Sequence, residues 1–474
     1  MATTDFTQAV VTTLINGADN LVGFQGDFTF DSTVVTFQAT PVGGAGLTGT
    51  NWNVSANVLP GGGAIKTLRV SAFSNDFTPL SGSGTLFNLN MTRVSSSAGA
   101  STALTWDVDP NNFYFIDVNL ESRPPNSTPG GSISIQGITV SGTITYCSNP
   151  SLNPVPSVTM SLTGSSSGST LTDGSGNYTF TSLIPGGNYT ITPSKASLPA
   201  GSIGVDTVDV IATQRHFLGV GAPLSGCRLT AADVNSVGGV DTVDVIAIQR
   251  FFLGLSTGIA NAGKYQFNPT NRTYASIGSN QTGQNYSALI FGDVASGFVH
   301  RPGTPGGDEP NNEPDANEVP ATVESVALPD ITADQSRNNF VAPVTTSEID
   351  AKNKLVGFQG DFTFDERVVG FEDQPVQKAG LTAGNWNVSG NLLDGSGPMR
   401  TLRVSAFSTD FAPLSGSGTL FELRMTKMSG VATHGTPFIW APPPDNFIFI
   451  DADLNRQKPV RAASGSIITS ARDK

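Results

Sequence analysis

One domain is written twice in this chain. LVGFQGDFTFD at 21–31 returns letter for letter at 355–365. TLRVSAFSNDFTPLSGSGTLF (67–87) returns as TLRVSAFSTDFAPLSGSGTLF (401–421), and NFYFID (112–117) as NFIFID (446–451). The offset is 334 residues throughout, with no gap from about Phe6 to Asp117. Whatever folds at one end therefore folds at the other. Within each copy, runs such as GFQGDFTF and GTLFNLNM alternate apolar and polar residues, the period of a strand with one buried face. Gly, Asn, Pro and Asp clusters part the runs, which predicts an antiparallel β-sandwich at each end.

The two copies differ at their starts. TVESVALPDI (322–331) precedes the second copy and predicts an opening strand. Its counterpart in the first copy would fall before Met1. A sandwich without that strand exposes unpaired backbone groups beside an open core. A strand from another subunit would close it by β-augmentation, which makes Thr322, Val323, Val326, Leu328 and Ile331 candidate assembly residues. The alternatives are a strand removed with a precursor segment, or closure by Ala2–Val11.

Between the copies lie three further pieces and a linker. Residues 147–197 carry short alternating strands and a DGSGN turn, the pattern of a small sandwich. Residues 198–260 hold a second internal repeat, and residues 261–301 return to β alternation as an extension of the centre. Residues 302–320 are rich in Pro, Asp, Glu, Asn and Gly and cannot bury enough apolar area to order themselves. The expected division is thus 1–146, 147–197, 198–260, 261–301, the 302–320 linker and 321–474.

The central repeat is GVDTVDVIATQRHFLG (204–219) and GVDTVDVIAIQRFFLG (239–254), 35 residues apart. The second copy begins earlier, as DVNSVGGVDTVD (233–244). These twelve residues fit a calcium loop with ligands at positions 1, 3, 7, 9 and 12. They would be Asp233, Asn235, the Gly239 carbonyl, Asp241 and Asp244. Position 5 is Val237, which offers no side-chain oxygen. The first copy keeps only Asp206 and Asp209, preceded by SLPAGSIG. There a helix N-cap competes with a degenerate metal loop.

Loop plus helix, duplicated, resembles the dockerin type I module, and DVNSVGGVDTVDVIAIQRFFLG carries the resemblance. It implies two calcium loops, each followed by a helix, and a partner of the cohesin kind. The terminal repeats, with GFQGDFTFDSTVVTF and GFQGDFTFDERVVGF, look like cohesin domains, which are jelly-roll sandwiches. TDGSGNYTFTSLIPGGNYTITP is similar to the carboxypeptidase regulatory-like domain, a transthyretin-type sandwich. The fold expected is mainly β, several antiparallel sandwiches with one small α-helical calcium-loop module. The composition looks like that of large secreted or surface proteins of environmental bacteria.

Charge and motifs narrow the function. With net charge −13 and 13% charged residues, the chain lacks the clustered basic face that nucleic acid requires. No run of about 18 apolar residues predicts a membrane span. The start, MATTDFTQAVVTT, has no basic n-region or apolar h-region and does not read as a secretion signal. Cys147 and Cys227 are the only cysteines; they form one disulfide if the chain is extracellular, or remain two unrelated thiols. His216, His300 and His434 stand apart from one another, and no catalytic motif is present. Trp52/Trp386 and Trp106/Trp440 are core residues or sugar platforms. The reading is a non-enzymatic extracellular protein that binds copies of itself head to tail into a fibre or layer. The alternative is a monomeric module that captures dockerin-bearing proteins or glycans.

Overall fold

A computed structural model describes residues 5–95, 97–146, 153–202, 204–295, 318–319, 323, 325–333, 338–393, 395, 397–428, 434–443 and 445–469. Most of the 302–320 linker lies outside them. The described chain is mainly β, in three sandwiches with three helices.

In the first sandwich one sheet orders Asp5–Ile15, Gly82–Arg93 and Val35–Gly44. The facing sheet centres on Leu21–Asp31, between Ile65–Ser74 and the Ser101–Trp106 and Tyr114–Asp117 strands. Alternation decides which side chains meet. Phe24, Phe28 and Phe30 point into the core, while Gln25 and Asp27 lie on the outer face. Trp52 stacks on Phe24 and Trp106 meets Phe28 edge-on, so both tryptophans pack on core rings. The second sandwich repeats this pairing register by register, down to Trp386 on Phe358 and Trp440 on Phe362.

The copies part company at one margin. In the second sandwich Ser325–Ala327 pairs with Asn339–Ile349 and with Arg461–Ala463, extending that sheet to five strands. Asp330–Ala333 runs parallel to Gly465–Thr469. The first sandwich supplies its equivalent of Asn339–Ile349 from its own Asp5–Ile15, and among the described residues its sheet has three strands.

The centre is two four-stranded sheets. One orders Asn177–Leu183, Ile138–Tyr146, Tyr286–Ile290 and Tyr265–Asn268. The other orders Gly168–Leu171, Thr159–Gly164, Tyr189–Ser194 and Arg272–Tyr274. Two of the expected boundaries shift as a result. Ile138–Tyr146 belongs here, because its backbone groups pair with Asn177–Leu183 and Tyr286–Ile290. The 261–301 stretch is woven into both central sheets. Sequence distance hid this, since Tyr286–Ile290 runs parallel to a strand about 140 residues earlier.

The three helices are α1 (Thr207–Phe217), α2 (Gly226–Ala232) and α3 (Thr242–Phe252). α1 and α3 are the two copies of the central repeat. Each opens on the same capping box: Asp206 or Asp241 accepts from the N–H two residues on, and Asp209 or Asp244 reaches back to the N-cap N–H.

Candidate functional site

The repeat at 204–219 and 239–254 does its most extensive work in a place the sequence did not indicate. The N-terminal half of α1 and the C-terminal end of α3 lie on the outer face of the second sandwich. The Thr207 N–H donates to Gln359 Oε1 at 2.9 Å, and the Thr207 and Ser405 hydroxyls are 2.8 Å apart. Gln249 Nε2 donates to Asn387 Oδ1 at 3.1 Å, and Asn391 Nδ2 donates to the Leu253 carbonyl at 2.8 Å. Arg215 donates to the Ala452 carbonyl at 2.6 Å. Arg456 pairs with Asp206. Val208 and Ile211 are buried in one cluster with Val356, Phe407, Ile448 and Ile450 of the sandwich.

Arg403 anchors this contact. It holds Asp361 through Nε and Nη2 at 2.9 and 2.8 Å and also reaches Asp445 at 2.9 Å. Its Nη1 donates to the Gly201 and Phe252 carbonyls at 2.6 and 3.2 Å, and its guanidinium lies 4.9 Å from the Phe252 ring centroid. Burial pushes the Asp361 carboxyl up to about 6, against the pull of Arg403. Gly357 marks the close approach of α1: a Cβ there would sit 2.5 Å from Ile211 Cδ1, so the Ile211 side chain would have to shift.

Duplication places the same face on the first sandwich, with none of the described residues docked on it. Gln25, Asp27, Asn53, Asn57, Arg69, Ser71, Phe73 and Ile116 occupy the positions of Gln359, Asp361, Asn387, Asn391, Arg403, Ser405, Phe407 and Ile450. Phe407 is 4% exposed, whereas Phe73 is 51% exposed. The Arg403 side chain is 4% exposed and that of Arg69 54%, although Arg69 keeps the ion pair to Asp27 at 2.7 Å. Four partners are altered: Ser122 stands where Arg456 meets Asp206, Asn111 stands for the Asp445 that Arg403 reaches, Val118 for Ala452 and Tyr114 for Ile448. The helix repeat shows the same asymmetry. Val243 and Ile246 of α3 are exposed, while their twins Val208 and Ile211 in α1 are buried.

The acids of the candidate metal loops fall into two groups. In 233–244, Asp244 is buried and accepts from the Asn235 and Asp241 N–H groups at 3.1 and 2.9 Å. Asp241 caps α3, and the Asn235 side chain accepts from Val237 N–H. Asp233 Oδ1 is buried without a hydrogen-bond partner. Gly239 has positive φ, and Val237 points to solvent. An orphaned carboxylate oxygen beside a buried carboxylate fits a hard cation, which would complete its shell with carbonyls and water. Among the described residues no three His, Cys, Asp or Glu side chains converge to hold an ion by themselves. In the first copy Asp206 is spent on capping and on Arg456. Asp209 is fully buried, and burial, then the Asp206 charge, push it up to about 7.

The remaining predicted residues are readily placed. Val323, Val326 and Leu328 are buried in the core of their own sandwich, and Ile331 packs against it. Thr322 lies outside the described residues. Cys227 is disulfide-bonded; Cys147, the chain's other cysteine, lies outside the described residues. His216 Nδ1 accepts from the Leu224 N–H at 3.0 Å, and His300 is not among the described residues.

The margin missing from the first sandwich is open. A groove of about 960 Å³ runs there, lined by Val10, Thr12, Leu89, Leu104, Trp106 and Ile133 among others. In the second sandwich Val323, Val326 and Leu328 fill the corresponding core.

No protein-family model matches the chain, and no curated protein matches it. Solved structures similar to it include a type I cohesin–dockerin complex from Clostridium thermocellum, 14% identical over 31% of this chain and 99% of that one, TM-score 0.26. A non-cellulosomal cohesin from Archaeoglobus fulgidus is 18% identical over 31% of this chain and 91% of its own, TM-score 0.23. A cohesin from Clostridium acetobutylicum is 17% identical over 33% and 93%, TM-score 0.22. No helix among the described residues is long and apolar enough to cross a membrane.

Proposed function

We propose that this chain is a non-enzymatic extracellular binding protein whose first sandwich captures a loop-helix pair of the dockerin-like kind from another molecule. One observation carries the reading. The second sandwich holds the chain's own helix pair on a face that duplication has copied, free, onto the first. The chain thus supplies a worked example of what the vacant face accepts. Calcium at Asp233, Asn235, Gly239, Asp241 and Asp244 would stiffen the helix pair, since metal binding contributes directly to folding free energy. The cation supplies only charge and geometry; Asp241 and Asp244 cap α3 in any case.

The test uses two full-length chains. Phe407→Asp breaks the internal docking and frees the helix pair; the same chain carries Phe73→Asp, so its helices find no vacant face of their own, and this variant is mixed with wild type in light scattering. A one-to-one complex is expected, and Phe73→Asp in the wild-type partner should abolish it. Two monomers that ignore each other would defeat the reading.

The groove favours a second reading, self-association through a donated strand. A strand of the type Ser325–Ala327 supplies would extend the three-stranded sheet and fill the groove. A labelled TVESVALPDI peptide should then bind the full chain, and lose binding on Leu104→Arg. A peptide that never binds removes this reading and leaves the first untouched.

A further inference from the structure

The first calcium loop reads as half-missing, because SLPAGSIG stands where the acids should be. The fold supplies a substitute from elsewhere. Gly292-Asp293-Val294-Ala295 shares its central Asp-Val with Ala232-Asp233-Val234-Asn235 and makes a like backbone contact. The Asn235 N–H donates to Asp244 Oδ1 at 3.1 Å; the Ala295 N–H donates to Asp209 Oδ1 at 2.8 Å, joined by the Val294 N–H at 2.8 Å. Asp209 is the twin of Asp244. The two segments also lie side by side, with the Gly292 N–H donating to the Ala231 carbonyl at 2.8 Å. Each segment therefore brings an aspartate to the N-terminus of one helix of the repeat.

The match extends to what is left unsatisfied. Asp233 Oδ1 and Asp293 Oδ1 are both buried without a hydrogen-bond partner. Asp293 is 0% exposed, and its other oxygen accepts from the Tyr146 hydroxyl. Burial and then the Asp209 charge push its carboxyl well above the ordinary carboxylate range, with the Tyr146 hydrogen bond opposing, Asp206 adding and Arg228 opposing. Buried carboxylates of this kind are costly unless paired or bound to a metal. Val205 and Ile248 close the site from the helix side, a Cβ on Gly292 lying 3.1 and 3.7 Å from their side chains.

We propose that Asp293 and Asp209, with neighbouring backbone carbonyls and water, form a divalent-cation site of calcium type, assembled from two chain segments 84 residues apart. Its position is equivalent to the Asp233/Asp244 loop, so the helix repeat carries two cations in symmetric places, one in a continuous loop and one in a split loop. Binding would tie the end of the central sandwich to the start of α1, the helix docked on the second sandwich.

Calorimetric titration of the full chain with calcium chloride, after chelator treatment, tests this. Two ions per chain are expected, one after Asp293→Asn and one after Asp233→Asn. Should Asp293→Asn fail to fold, terbium replaces calcium on a Tyr146→Phe chain, which keeps the carboxylates. Two terbium ions should still bind, with tyrosine-sensitised emission lost from one of them. A wild-type count of one that Asp233→Asn abolishes would overturn the split site while preserving the continuous loop. So would an Asp293→Asn titration matching wild type, or emission unmoved by Tyr146→Phe.

Discussion

Arg403→Ala and Arg69→Ala are the same substitution at twin positions of one molecule, and the docked helices are what separates them. Removing Arg403 strands the Asp361 carboxylate in a desolvated site, a loss of about 3–5 kcal/mol for breaking a buried pair. The Gly201 and Phe252 carbonyls lose a charged donor as well. Arg69 makes the equivalent pair with its side chain half in water, where solvent screens the pair and little stability is lost with it. The difference of roughly 3 kcal/mol corresponds to about two decades in an opening equilibrium, at one decade per 1.4 kcal/mol. Hydrogen exchange read by mass spectrometry can locate it. Arg403→Ala should lower protection in Thr207–Phe217 and Leu355–Asp365 by about a hundredfold, while Arg69→Ala leaves Thr207–Phe217 unchanged. Equal effects of the two substitutions on α1 would refute the docking argument.

Further predictions follow from the same comparison. Gly357→Ala drives a methyl into Ile211 while Gly23→Ala meets no helix, so only the first should release the helix pair, detected as faster proteolysis between α1 and α3. Ile211→Asp, placed in the shared core, should cost about 3 kcal/mol or more in denaturant unfolding, and Ile246→Asp on the free α3 face within about 0.5 kcal/mol. Asp410 is held below its ordinary value of 3.8 by Asn385, then by the Ala412 N–H and Ser408. A depressed carboxyl stabilises the fold above its unfolded pKa and loses that contribution as pH falls through the folded value. Asp410→Asn should therefore flatten the acid limb of stability below about pH 4, and an unchanged limb in a pH series of melts would contradict this.

Much of the architecture is legible in the letters. A duplication at constant offset with period-2 alternation predicts two like sandwiches, and both appear with matching register. The capping boxes of α1 and α3 are visible as Asp-Thr-Val-Asp. The docking face left a fainter signal: Gln359, Asp361, Arg403 and Ser405 belong to the outward polar set of two alternating strands, which a bare sandwich would equally show to water. The same letters stand in both copies, and sequence cannot tell which copy is covered. The 292–295 segment repeats only the Asp-Val of 233–234, and nothing local ties it to a helix that starts 85 residues earlier.

Local chemistry acts over a few residues, so periodicity, caps and turn residues fixed the strands, the helices and the existence of two copies. Burial, by contrast, belongs to whatever lies across a gap in space. Only the tertiary structure decided that Phe407 is covered and Phe73 bare, that Val323, Val326 and Leu328 close one sandwich and leave the other open, and that the Val294 and Ala295 N–H groups reach Asp209. Identical side chains acquire different roles because the free energy of a contact depends on the surface it removes from water, and that surface is set by the fold as a whole.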